Sequence, residues 1–113
     1  MSYKTAFSQD FDLGFKIKNF PVELIDKSYR NDICPSFYFK IQDQYFVLWV
    51  NYKENSLRED PNTKRYIISH GVNLGDNEHL EIYDDSNTVD ILMTDYISEV
   101  ESTIRKMLVS DKE

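Results

Sequence analysis

Between Asp10 and Lys18 the chain alternates. Phe11, Leu13, Phe15 and Ile17 fall on one side, and Asp10, Asp12, Gly14, Lys16 and Lys18 on the other. A period of two marks a half-buried strand, which Pro21 would end. The stretch Val22 to Ile33 is mixed and keeps neither a helical nor a strand period. Ser36 to Ile41 and Tyr45 to Tyr52 are rich in aromatic and β-branched residues and read as strands. The short gap Gln42-Asp43-Gln44 makes them a hairpin. Lys53 to Thr63 is polar, contains Pro61 and reads as a loop. Lys64 to Val72 is a further strand, Asn73 to Glu78 is turn chemistry, and His79 to Tyr83 is another short strand.

The last element is helical. Met93, Ile97, Val100, Ile104, Met107 and Leu108 recur on one stripe, with Asp95, Glu99, Ser102 and Lys106 off it. Thr94 is placed to cap its start, with Asp95 in the first turn and Arg105 and Lys106 near the C-terminal end. Glu101 and Arg105 form an i,i+4 pair worth about 0.2–0.5 kcal/mol. An amphipathic helix after a run of strands predicts an α+β domain: an antiparallel sheet of about five strands, with the C-terminal helix on one face. The 113 residues contain no repeat and no linker, so residues 1–113 are expected to form one domain.

The hairpin predicts which side chains share a face. With Ile41 opposite Tyr45, Phe37, Phe39 and Ile41 lie beside Tyr45, Val47 and Trp49. With Ile41 opposite Phe46, they lie beside Phe46, Leu48 and Val50, which gathers six purely apolar side chains on one side. The second arrangement is preferred, with Gln42 to Tyr45 as the turn and Tyr38 roughly across from Trp49. The other face then carries Tyr38, Lys40, Tyr45, Val47, Trp49 and Asn51. Aromatic rings with a polar fringe are the composition of interface hot spots. The competing reading is that the N-terminal segment or residues 22–33 fold over this face and bury it.

Charge sharpens this picture. The formal net charge is -7, and residues 66–104 hold no Lys or Arg but nine acidic residues: Asp76, Glu78, Glu81, Asp84, Asp85, Asp90, Asp95, Glu99 and Glu101. Such a balance argues against direct binding of nucleic acid. It would instead draw in basic proteins, unless it is only a solvated surface.

Motif chemistry is sparse. There is no phosphate-binding loop, no nucleophile elbow and no paired-cysteine or HExxH metal signature. With the strands around His70 and His79 side by side, His70 would face either His79 or Glu81. Together with Asp76, Glu78 or Glu81 they could hold a metal or act as an acid/base pair. Cys34 would need a base and a lowered pKa to be a nucleophile, and otherwise reads as a small buried hydrophobe. Arg58-Glu59-Asp60 reads as solvated loop, or as an ion-pair motif gripping a ligand.

The leading functional expectation is a non-enzymatic, stoichiometric protein-binding domain. It would be inhibitor-like, of the immunity-protein, antitoxin or anti-defence type, and would need no cofactor or metal. Its partner would be a basic protein such as a nuclease or other nucleic-acid-binding effector. The expected contact residues are Tyr38, Lys40, Tyr45, Val47 and Trp49 on the sheet, with Asp76, Glu78, Glu81, Asp84 and Asp85 as steering carboxylates. Two rivals stand beside it: a small ligand- or metal-binding or hydrolytic domain with a pocket near His70, His79 and Cys34, and a homo-oligomeric structural or accessory protein, a homodimer being one form, that buries the aromatic face against itself. Cys34 is the only cysteine, and no membrane-length apolar run, signal-peptide pattern, lipidation motif or Asn-x-Ser/Thr acceptor occurs, so a cytoplasmic location without membrane contact is expected.

Overall fold

The computed structural model describes residues 2–8, 10–29 and 32–110. Six antiparallel strands form one sheet: β1 Ile25–Asp26, β2 Ser36–Ile41, β3 Gln44–Val50, β4 Tyr66–Asn73, β5 Ile82–Asp84 and β6 Leu92–Thr94. The order is β1-β2-β3-β4-β5, and β6 also pairs with β4. Thus β5 and β6 lie end to end along one edge of β4, β5 on Gly71–Asn73 and β6 on Tyr66–Ile68. Among the described residues two α-helices, α1 Tyr3–Ala6 and α2 Ile97–Ser110, and 3-10 turns at Ile17–Asn19 and Asn55–Leu57 complete the fold. The α+β architecture is as the sequence predicts.

The hairpin of β2 and β3 sets the two faces. Phe37, Phe39 and Ile41 do share a side with Phe46, Leu48 and Val50, and all six are buried. The register, however, is two residues tighter than expected: Phe39 is opposite Phe46 and Ile41 opposite Gln44, so Tyr38 faces Val47 and Trp49 faces Ser36. A shift of two keeps every side chain on its face, so hydrophobic patterning does not distinguish the two registers. The turn does. It shrinks to Gln42-Asp43, with Gln42 at φ 55 supplying the left-handed residue that a two-residue hairpin needs.

The apolar face is closed by α2 and by the N-terminal arm. Val100 and Ile104 of α2 are fully buried, with Ile97, Met107 and Leu108 beside them. Leu13, Phe20 and Leu24 enter the same core, and Phe11 and Phe15 rest on Tyr52 and Tyr66 at ring-centroid distances of 4.9 and 6.4 Å. The alternating segment from Asp10 to Lys18 turns Phe11, Leu13 and Phe15 inward, as its pattern says, but Ile17 is exposed in a 3-10 turn, and the segment is not a strand. Its carbonyls are taken by side chains: Tyr66 Oη donates to Leu13 O at 2.7 Å and Arg65 Nη2 to Asp12 O at 2.7 Å. Gly14 turns the chain there at φ +82, held by its N–H on Asp12 Oδ1, and a side chain at this position would strike the Tyr66 hydroxyl.

The C-terminal region departs from the predicted helix at its start. Met93 belongs to β6, opposite Ile67, and is exposed. Asp95 precedes the helix instead of sitting in its first turn. Thr94 Oγ1 accepts from Tyr96 N and donates to the Glu99 carboxylate, which ties the strand end to the first helical turn. Glu101 and Arg105 do pair, at 3.8 Å.

The stretch from Val22 to Ile33 contributes only β1, with Lys27 N on Ser36 O extending the contact; residues 30 and 31 lie outside the described residues. Among the described residues no helix is long and apolar enough to cross a membrane.

Candidate functional site

The face opposite α2 carries Ser36, Tyr38 and Lys40 of β2, Tyr45, Val47 and Trp49 of β3, and Ile67, Ser69 and Gly71 of β4. Among the described residues no helix lies on it. Lys27, Tyr29, Asp32, Ile33 and Cys34 line the recesses at the Trp49 end.

Trp49 is half-buried, and its indole reaches across β4 to the far edge of the sheet. There Nε1 donates to both carboxylate oxygens of Asp84, at 2.9 and 3.1 Å. Lys27 Nζ sits 5.2 Å from the centroid of the same indole and 6.0 Å from that of Tyr83. Two recesses meet at this point. One, of about 410 Å³, is lined by Cys34, Trp49, Asn51, Ser69, Asp84 and Asp90 among others. The second, of about 790 Å³, is lined by Lys27, Tyr29, Tyr38, Trp49, Tyr83 and Asp84 among others. Trp49, Asp32 and Asp84 line both.

Burial raises the Asp84 carboxyl above the usual carboxylate range. The Trp49 N–H and the Lys27 charge oppose that shift, and the charges of Asp90 and Asp32 add to it. Asp90 is bonded by Ser69 Oγ at 3.1 Å, which holds it on the same side of β4.

Of the predicted sheet contacts, Tyr38, Tyr45 and Trp49 are half-buried and Lys40 is exposed. Tyr38 and Tyr45 meet edge-on at 6.1 Å, and Lys40 Nζ lies 5.5 Å from the centroid of the Tyr45 ring. Val47 corrects the expectation. It lies between Tyr38 and Ser69 at 0 % exposure, so it supports the rings from beneath and offers no surface of its own.

The predicted carboxylates do not form one patch. Asp76 and Glu78 lie at the tip of the β4–β5 hairpin, where Asp76 Oδ1 accepts from the N–H groups of Glu78 and His79 at 2.9 and 2.7 Å. Asp85 caps a turn through Asn87 N, and only Glu81 and Asp84 line a recess. Sequence reasoning missed Lys27, Asp32, Tyr83 and Asp90. Neither periodicity nor motif places them beside Trp49; only the strand order does.

The histidine constellation is overturned by register. The β4–β5 hairpin pairs Gly71 with Asp84, so His70 falls beside Asp85, whereas His79 sits beside Asp76 at the tip. At about 3.3 Å per residue the two histidines are roughly 20 Å apart along the ladder. The His70 ring lies against Phe46 at 5.7 Å, on the apolar side. Among the described residues, no group of three or more His, Cys, Asp or Glu is placed to hold a metal ion. Cys34 is 2 % exposed; burial first, then the Asp32 charge, push its thiol up to about 12 against a Val50 backbone hydrogen bond. It stays a protonated thiol at neutral pH.

Arg58 is neither solvated nor aimed at a ligand. Its side chain is 2 % exposed and donates to the carbonyls of Tyr52, Lys53 and Thr63 and to Asp95, so it clasps its own loop. Asp95 also accepts from Arg65 N at 2.9 Å and lies 3.6 Å from Lys64 Nζ.

Comparison with known proteins finds no matching protein family, no matching curated protein and no matching solved structure.

Proposed function

We propose that this protein is a non-enzymatic, stoichiometric binding domain whose uncovered sheet face takes a basic segment of a partner protein. The observation that carries the reading is the junction of two recesses at Trp49 and Asp84, on the side of the sheet away from α2. Half-buried aromatic rings supply large contact area at small entropic cost, and anchors of this type dominate interface energetics. Carboxylates around them favour a positively charged partner and speed its approach. In this reading the domain is inhibitor-like: it occupies a basic surface that its partner would otherwise offer to phosphates, as a nuclease or other nucleic-acid-binding effector does. The protonated, buried thiol of Cys34 and the separation of His70 from His79 favour binding over hydrolytic chemistry.

The test is affinity capture from the native host's lysate with the wild-type chain and with a Tyr38→Ala/Tyr83→Ala variant, followed by calorimetry on the purified captured protein. The expected result is a 1:1 complex, lost with the double variant and weakened by salt. Equal capture by both baits, or recovery of bait alone at low salt, would reject the reading. Light scattering on the free chain separates the rival: a dimer that the same double substitution dissolves would assign the aromatic face to self-association.

A further inference from the structure

The contact between Lys27 and the rings has the form of a bound ligand. Its ammonium lies over Trp49 and Tyr83, and no carboxylate comes within 4.0 Å of it among the described residues. Its backbone is fixed, with Lys27 N on Ser36 O at 3.0 Å, so only the flexible four-carbon stem has to move for the rings to be freed. The recess around it has more carboxylates than cations: Asp26, Asp32, Glu81 and Asp84 against Lys27 among its described lining residues. Asp26 is already occupied by the N–H groups of Tyr3 and Ser28, at 2.7 and 2.9 Å. Asp84 is not saturated, because a carboxylate offers about four acceptor positions and the one indole N–H is shared between its two oxygens. A point-like ammonium over the rings leaves that capacity unused. A planar guanidinium stacks on an aromatic face and donates to a carboxylate at the same time.

We infer that the Trp49–Tyr83–Asp84 recess is a receptacle for one arginine side chain presented by a partner protein, and that Lys27 is its resident intramolecular occupant, displaced on binding. This deepens the binding reading above and takes from it the source of the arginine. The Lys27 ammonium neutralises the site while it is empty of partner and competes with the incoming cation.

Trp49 is the only tryptophan, so its fluorescence reports the recess directly. The probes are L-argininamide and its uncharged analogue L-citrullinamide, titrated at low salt into the wild-type chain, Lys27→Met and Asp84→Asn. Argininamide is expected to give a saturable change that citrullinamide does not. If Lys27 occupies the rings most of the time, Lys27→Met binds about tenfold tighter, because the competent fraction rises. Asp84→Asn binds about tenfold more weakly, through loss of a charge-assisted contact. Lys27→Ser must follow Lys27→Met, and circular dichroism confirms that each variant is folded. No saturable response in wild type or Lys27→Met, an equal response to citrullinamide, or unchanged affinity on removing Lys27 would each overturn the inference. A partner captured by the aromatic face with affinity indifferent to Lys27 and Asp84 would also overturn it, while leaving the binding domain standing. A saturable argininamide site in a chain that captures no protein would support the receptacle and remove the partner.

Discussion

On one face of the sheet Phe37, Leu48 and Ile68 lose all contact with solvent beneath α2 and the N-terminal arm, whereas on the other Tyr38 and Trp49 stay half-buried. Both faces are rich in aromatics, so hydrophobicity alone does not separate them. The difference lies in the polar ends. Phe37, Phe39 and Phe46 have none and are sealed, and Tyr66 joins them only because its hydroxyl donates to Leu13 O. Tyr and Trp carry a hydroxyl or N–H, and the Trp49 N–H is answered by a carboxylate at the sheet's edge. Where such groups stay near the surface, the layer can remain open without leaving buried polar atoms unpaired.

The largest expected effect tests whether the closed face is the structural one. Phe37→Ala should cost about 3–5 kcal/mol of stability in urea unfolding, and Tyr83→Ala on the exposed edge strand beside the open recess about 0.5 kcal/mol or less. Similar losses at both positions would erase the distinction between the faces.

Next comes Arg58, the cation with its partners built in, against Lys27, which rests on rings. Arg58→Met keeps the stem but takes the guanidinium donor from three carbonyls and from Asp95, which keeps the Arg65 N–H, and should cost about 2–3 kcal/mol. Arg58→Lys should recover only part of that, since an ammonium cannot span the same fork of acceptors. Full recovery by lysine in a thermal melt would make Arg58 a mere point charge.

Two aspartates on opposite sides of this comparison should respond to pH with opposite signs. The Arg65 backbone N–H, with smaller help from the Lys64 and Arg58 charges, holds the Asp95 carboxyl below its usual range despite some desolvation. Its contribution is present above the unfolded carboxyl value of about 3.9 and is lost as pH falls through the lower folded value. Asp84 is raised by burial, so its folded form binds the proton more tightly. Stability linked to it is greatest below about pH 3.9 and falls as pH rises through the folded value. At neutral pH Asp95→Asn should therefore lower the melting temperature and Asp84→Asn raise it. Both differences should shrink toward acid. Shifts of the same sign at pH 7 would contradict the assignment.

The smallest effect is expected at Ser36, whose Oγ is the one buried side-chain polar atom without a hydrogen-bond partner among the described residues. Ser36→Ala keeps the backbone bonds to Ser28 Oγ and should change stability by about 0.5 kcal/mol or less in urea unfolding. A larger loss would reveal a partner for that hydroxyl.

The alternation in Ser36–Ile41 and Gln44–Val50 was enough to assign both faces, because burial on one side imposes a period of two. It could not fix the register, since a shift of two residues preserves the pattern and the left-handed turn residue is a glutamine, which carries no turn signal. Phe11, Leu13 and Phe15 alternate for the same reason as a strand, yet their segment is an arm whose carbonyls are met by Arg65 and Tyr66 side chains. Trp49 was legible as a contact residue by its type. Asp84 was legible as a carboxylate of the acidic segment, but its place beside Trp49, and the neighbours Lys27 and Tyr83, were not, because the chain meets them through strand order and not through spacing. His70 and His79 failed as a pair because the hairpin tip lies farther along the chain than the turn chemistry at Asn73–Glu78 suggested.

The borders of the layer have a consequence of their own. The outer border of β4 is covered by two three-residue strands separated by the excursion from residue 85 to 91, and the opposite border ends in the two-residue β1. Strands this short give an incoming extended chain little to template on, and the break between β5 and β6 interrupts any continuous row of free amides. Fibril-like growth through the rims is thereby discouraged, which lets the molecule keep a broad aromatic flank in water without polymerising through its sides.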